Sequence, residues 1–550
     1  MHNYDFTLPE IGAAWLARTF NCLPVQPLPV QSLIGTRRRA LDHDGRRTEY
    51  YQEPMRPDSV KGHMTFMLKH EGVHLELMAR LFQKMPPDLL TDWIKAEPTG
   101  QYARRAGFLY EWITGGRLPV PDSLLGGNYV DAVDPEKMLA ASQAPANPRW
   151  RVRDNLPGTS DFCPQVRLTP QLRQAAEFSC SQALARQEAQ FGADILRRSA
   201  VWMTLRESRS SFLIEGEQDQ LSRIQRFAAV LETRTGQGAL PLDAQSLAEL
   251  QSSILGENHT LGQLGIRQSP VFVGQSVRFE NIVHYVAPPC AELAPMLLGL
   301  AEFFKCTQGK PSLIRAAVTS FAFVFLHPLA DGNGRIHRFL LNDVLRRDGA
   351  IPAPFILPVS ALISEHSAER ALYDAALESY SKPLMARFAQ ACSFTHEPRV
   401  MPDGVSSNFQ FSADAQALPT WRFPDLTQQA LYTSGLLERT ILQEMHQQAS
   451  FFRSHDLARS NLKEILEGPD SHLDAIIRSV SQNGGKLSGK LARQFPMLLK
   501  KGLWDQVVLA VNSAFNPAED EWLEAAEDEE KKKKKEGDTP GAPAPDSDNG

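Results

Sequence analysis

The chain of 550 residues is longer than one hydrophobic core usually organises, so two to four domains are expected. With 42% hydrophobic residues, 22% charged residues and a formal net charge of -6, it has the composition of an ordinary globular protein and gives no support to nucleic-acid binding. Its six cysteines are scattered without a C-x-x-C pair, which suggests neither a disulfide framework nor a thiolate zinc site.

The N-terminus lacks the basic region and continuous apolar run of a signal peptide. The longest apolar stretch, Ala316 to Leu326, is interrupted by Thr319 and Ser320 and is too short to span a bilayer. A cytoplasmic setting without membrane contact is expected, barring export by a route that leaves no such mark.

Residues 1–165 mix short helical patterns with Pro-rich links and read as a separate N-terminal domain of α or mixed class. Within it, His70-Glu-Gly-Val-His74 matches H-E-x-x-H, in which two histidines on one helical face bind Zn²⁺ and the glutamate acts as base. Gly72 is a poor helix former, and no third ligand follows at a diagnostic distance, although Glu76 is near. A surface helix with ordinary histidines is the expectation, and a zinc hydrolase the alternative.

Residues 166–395 have mainly helical apolar spacing, as in Ile314, Val318, Phe321 and Phe325. Near its start, Ser211 and Glu215 stand four apart, followed by Gly216, a spacing that puts both on one helical face ending at the glycine. From Ile266 the sequence alternates β-branched and polar residues around Gly274-Gln275, which predicts a short β-hairpin. Residues 396–425, rich in Pro, Ser, Asn and Asp, read as a linker before a helical domain at 426–518. There, two helical patterns flank Asn483-Gly-Gly485 and could pass for a helix-turn-helix of a DNA-binding regulator, although plain helical packing gives the same pattern. The charged tail at 519–550 has little to bury and should be disordered.

The densest chemistry is His327-Pro-Leu-Ala-Asp-Gly-Asn-Gly-Arg-Ile-His-Arg338, a loop between an apolar helix and a second helix carrying Ile336, Phe339, Leu340, Val344 and Leu345 on one face. Exposed N–H groups and the positive dipole end at a helix start attract an anion, and Gly332 and Gly334 leave room for backbone to close around a phosphate. Arg335 and Arg338 share a face and can grip further phosphate oxygens. Asp331 offers a hard oxygen to Mg²⁺, and His327 can take a proton from an attacking hydroxyl. His337 points elsewhere on the helical wheel and reads as a surface or packing residue.

This stretch resembles the Fic motif, H-P-F-x-[D/E]-G-N-G-R-x-x-R, departing only at Leu329, where phenylalanine is usual and packs into the core. The resemblance spans about a third of the chain. It implies an all-α Fic-type helical core with a β-hairpin flap, and transfer of AMP from Mg-ATP to a Ser, Thr or Tyr hydroxyl of a target protein. His327 would be the base, Asp331 the Mg²⁺ ligand, Gly332, Asn333 and Gly334 the phosphate cradle, and Arg335 and Arg338 the grip on the outer phosphates. The hairpin at 267–285 resembles the flap that docks the target, and Tyr373 would lie near the adenine. Ser211 and Glu215 resemble the family's inhibitory motif, whose glutamate pairs with the second arginine, here Arg338. Gly334, which phosphorylating relatives replace, favours AMP as the group transferred; AMP removal with Glu215 positioning a water stays open, as does self-association.

Overall fold

The computed structural model describes residues 8–43, 46–216, 221–277 and 280–515. Glu217, residues 278–279 and the charged tail at 519–550 lie outside the described residues. Two compact units are present, one formed by residues 1–187 with 200–445 and the other by 188–199 with the chain from 446 on. Among the described residues no helix is long and apolar enough to cross a membrane.

The N-terminal region is mixed. Strands Val30–Ile34 and Arg46–Tyr51 pair in parallel at the centre of a four-stranded sheet, flanked by Glu10–Ile11 and Arg39–His43. Beside it, helices Leu75–Lys84, Pro87–Ala96 and Gln101–Thr114 bury Leu75, Trp93 and Leu109 around Trp150. Gly107 sits against the Trp150 ring, where any Cβ would collide. This region has an apolar cluster of its own, yet it belongs to the larger unit rather than standing apart as expected for 1–165.

The H-E-x-x-H stretch is not a surface helix. A π-helical turn, Met67–Glu71, ends at Gly72 with φ 93°, and a new helix starts at Leu75. His70 and His74 therefore do not share a helical face. His74 is the N-cap, its Nδ1 accepting from Leu77 N at 3.1 Å, and the half-buried Glu71 accepts from Ala13 N at 2.7 Å. Glu76, the remaining acid nearby, accepts from Val25 N and pairs with Arg80. The glycine that weakened the helical expectation is the residue that breaks the helix.

The predicted helical core contains Ala193–Ile214, Ala244–Leu255, Cys290–Cys306, Ser312–Leu326, Asn333–Arg347 and Ser367–Phe388. Ser312–Leu326 and Asn333–Arg347 are buried almost throughout, so both lie at the centre of the core rather than on its surface. The hairpin forms from Phe272–Val277 and Glu280–Val286. Gly274-Gln275 is not its turn but lies inside the first strand, beside a register shift after Val273. A Cβ at Gly274 would strike the Ile282 carbonyl, so the glycine marks a bulge with close backbone approach.

The stretch expected as a linker, 396–425, carries a second hairpin, Cys392–Val400 with Ser406–Phe411, and the helix Asp414–Arg422. A few large residues hold this polar segment: Phe394 and Phe409 pack on Phe272, and Trp421 donates from Nε1 to the Val286 carbonyl. Helix Thr427–Arg439 belongs to the larger unit, and the C-terminal part of the second unit starts at residue 446. In that unit, helices His446–Lys463, Asp470–Gln482 and Leu503–Phe515 bury Leu462, Ile477, Val480 and Val511. The pattern from Asn483 to Lys501 gives the six-residue helix Gly489–Gln494 and a 3-10 turn, Pro496–Leu499, neither of which is the second long helix of a helix-turn-helix.

Candidate functional site

Ser312–Leu326 ends at His327, whose backbone turns into the left-handed region (φ 48°, ψ 54°). This turns the chain sharply into the loop that starts the Asn333–Arg347 helix at the N-cap Gly332 (φ 92°). The Asn333 carboxamide closes the loop, accepting from Leu329 N at 3.0 Å and donating to Leu329 O at 2.8 Å. Leu329 is fully buried, so leucine fills the core position where the motif usually has phenylalanine. Asn333 is thus a clasp for the loop through its side chain, with only its backbone left for an anion.

His327 is held neutral. Burial pushes its pKa down to about 4, and the nearby Arg267 charge acts in the same direction. Nδ1 lies 3.3 Å from the Val324 carbonyl, an acceptor, so Nδ1 carries the proton and Nε2 the lone pair. A neutral ring with a free lone pair is the form able to accept a proton. Asp331 keeps its side chain 54% exposed and lies 3.0 Å from Arg335. Arg335 also stacks its guanidinium over the Phe212 ring, 5.0 Å from the centroid.

Helix Ala193–Ile214 brings Ser211 and Glu215 to Arg338. Arg338 donates from Nε to Ser211 Oγ at 2.7 Å and from Nη2 to both the Ser211 carbonyl, at 3.0 Å, and Glu215 Oε1, at 2.5 Å. Burial pushes the Glu215 carboxyl upward, but the Arg338 charge and hydrogen bond, with the Arg335 charge behind them, outweigh it and hold the group below the usual carboxylate range. A Cβ at Gly334 would collide with this carboxylate. An anionic group therefore already rests over the first turn of the motif helix, beside the arginine expected to meet phosphate. The Glu215 carboxylate is thus an anionic group of the chain itself, held at this helix start by Arg338.

Tyr373 is a buried residue of Ser367–Phe388, 6.3 Å from Phe321 and 6.2 Å from Tyr432 between ring centroids, with burial raising its pKa. It is close enough to feel the Arg338 charge but packs within an aromatic cluster. His337 is a packing residue: its Nδ1 lies 2.7 Å from the Ser320 carbonyl and its ring meets Phe321 edge-on.

Three residues not singled out in the sequence complete the site. Arg267, 1% exposed, donates to the His327, Ser269 and Pro288 carbonyls at 2.6–2.7 Å, and its own N–H donates to Pro328 O at 2.8 Å. It joins the loop to both ends of the hairpin. Gln251 donates to the Asp331 carbonyl and accepts from Gly265 N. Asp403, in the turn of the second hairpin, accepts from Gln268 N and Ser269 N. An arginine at the start of an alternating stretch was the one available signal; nothing local marks Gln251 or Asp403.

Residues 241–345 match the Fic/DOC family. The chain is similar to the protein adenylyltransferases fic-1 of Caenorhabditis briggsae and Caenorhabditis elegans, each 30% identical over 119 residues, 22% of this chain and 22% of the relative. The matched stretch thus spans about a fifth of those curated relatives. It is also similar in structure to a Fic family protein from Desulfovibrio desulfuricans G20, at 19% identity and a TM-score of 0.32, covering 60% of this chain and 84% of that one. Ser211 and Glu215 lie upstream of the family match. With the motif loop inside the matched residues, this stretch of the chain, 241–345, is a Fic domain.

Proposed function

We propose that this chain is a protein adenylyltransferase that moves AMP from Mg-ATP to a target hydroxyl and is restrained by Glu215. The observation that carries the reading is the Glu215 carboxylate seated over Gly334 against Arg338, an anion at the head of the motif helix. Support also comes from the neutral His327 beside it and from the names of the two nematode relatives.

In this reading the first-turn N–H groups of Asn333–Arg347 and the guanidinium groups of Arg335 and Arg338 bind the phosphates. Asp331, with its carboxylate half exposed, would hold Mg²⁺, which supplies charge neutralisation on the phosphate oxygens. His327 Nε2 takes the proton of the target hydroxyl as its oxygen bonds to the α-phosphorus. The bond from that phosphorus to the bridging oxygen breaks, and pyrophosphate leaves with the electron pair. Alignment and charge stabilisation account for most of the acceleration in such transfers.

The hairpin is the docking element. Among the described residues its two strands pair only with each other, and Val273 and Ile282 stand 43% and 42% exposed, which suits strand addition by an extended target segment. Arg267 ties that hairpin to the His327 carbonyl, so a docked hydroxyl and the base are held in one frame.

Incubation of the purified chain with Mg²⁺ and either α-labelled or γ-labelled ATP tests the reading. Label should enter protein from the α position only. Label from the γ position, or none even after Glu215→Gly, overturns it.

A further inference from the structure

Glu207, Ser211 and Glu215 recur every four residues along Ala193–Ile214 and its end, so they lie on one face over two turns, roughly 12 Å. Two of the three meet Arg338. The first does something else: Glu207 is fully buried, its Oε2 accepting from Ser360 N and its Oε1 from Ser360 Oγ, each at 2.7 Å. We propose that Glu207 is a positioning residue, clamping the Ala193–Ile214 helix to Ser360 in the register that seats Glu215 on Arg338, so that loosening this clamp loosens the brake. The proposal rests on reading Glu215 as a brake.

The carboxylate is a costly way to fill that space. A buried acid facing only the two donors of one serine is poorly compensated, and burial holds its pKa near 7 despite them. The cation that favours its charged form is Arg338, the same guanidinium that Glu215 and Ser211 hold. Arg338 is therefore drawn by two carboxylates of one helix, one in contact and one at a distance. An apolar or amide side chain would fill the site without that desolvation penalty, so packing alone does not account for glutamate there.

The neighbouring residue grips the other end of the same short helix. Ser360 is the second residue of Val359–Glu365, and Arg206 pairs with Glu365 at its far end while also lying 3.0 Å from Glu444. Two consecutive side chains thus fasten one helix to both ends of another. A slip by one residue, about 1.5 Å and 100°, would break both fastenings at once. Further along, Phe212 is buried against Phe227, but Leu213 is 49% exposed and the Glu215 side chain 36% exposed. The last turn is therefore not fixed on every side by burial, and its register depends on what is fastened upstream.

The test compares autolabelling rates from α-labelled ATP in the full chain for Glu207→Gln, Ser360→Ala, Glu215→Gly and the double variant Glu207→Gln/Glu215→Gly. Glutamine keeps the shape of Glu207 but presents an amide where two donors need acceptors. Glu207→Gln should raise the rate about 3- to 10-fold and Ser360→Ala by less, since it keeps the backbone N–H. The double variant should label no faster than Glu215→Gly, because a clamp acting through Glu215 has nothing left to release. An unchanged rate in Glu207→Gln, or gains that multiply in the double variant, overturns the clamp while leaving the brake standing. No activation by Glu215→Gly removes the brake and the clamp together. Should Glu207→Gln melt below assay temperature, Ser360→Ala decides in its place, an unchanged rate counting against the clamp.

Discussion

The Glu215 carboxylate lies 2.5 Å from the Arg338 guanidinium and fills the space above Gly334 where any larger residue would put its Cβ. A contact between residues 123 positions apart thus occupies the head of the motif helix. Glu215→Gly should free Arg338 and raise AMP transfer about 10- to 100-fold, from the roughly 1.5–3 kcal/mol of a charge-assisted pair. The lower end is expected, because the carboxylate is 36% exposed and water screens the pair. Initial rates of autolabelling check this, and an unchanged rate with unchanged ATP affinity removes the brake. If Glu215 instead positions a water for AMP removal, the same variant loses hydrolysis of a pre-modified target.

His327→Ala should lower transfer by about 10²–10⁴-fold, the usual contribution of a positioned base. Because residue 327 has φ 48°, alanine there is strained by about 1 kcal/mol, and His327→Asn, which tolerates that conformation, is the companion variant. Both should lose transfer while circular dichroism stays at the parent's level. Parent-like labelling by either reassigns the base.

Arg267→Lys keeps the charge but cannot reach the His327, Ser269 and Pro288 carbonyls together. We expect a fall in kcat of at least about tenfold with a lowered Tm, since several buried carbonyls lose their donor. Equal kcat in the lysine variant would mean that the loop keeps its shape without this anchor.

His337 is neutral because burial, reinforced by Arg338, pushes its pKa down to about 4. The unfolded chain takes up this proton near pH 6.5, the folded chain only near 4, so this group's contribution to stability is present above 6.5 and is lost as pH falls toward 4. Between pH 6.5 and 5 the loss is about 2 kcal/mol. His337→Gln lacks it, so the Tm gap between parent and variant should narrow from pH 7.5 to pH 5. A gap that stays constant shows that the histidine is not held neutral.

His74→Ala should reduce stability by about 1 kcal/mol through loss of the N-cap acceptor for Leu77, with no change in metal content. Metal analysis after a chelator wash and equilibrium unfolding check the two halves separately. One zinc per chain, lost in the variant, would restore the hydrolase alternative.

The motif loop was legible because its chemistry is local: His327, Asp331, the two glycines and the two arginines lie within twelve residues, and helix periodicity alone places them at a helix start. Ser211 and Glu215 were legible as one helical face for the same reason. Their contact with Arg338 followed only from family resemblance, since spacing within a helix says nothing of what that helix packs against. The same limit explains the linker that is a hairpin and helix. Phe394, Phe409 and Trp421 are too sparse to set a period, but each finds a partner far along the chain.

By itself the sequence determined the short-range features: the core helices and the loop between two of them, and at Gly72 only a weak point in an expected helix that the structure turns into a break. Only the tertiary structure decided which distant groups satisfy the buried ones. Arg267 on the His327 carbonyl, Glu207 on Ser360 and Asp403 beneath the hairpin are contacts between elements. A buried polar group must find a partner somewhere, but the chain sets that partner by packing and not by spacing.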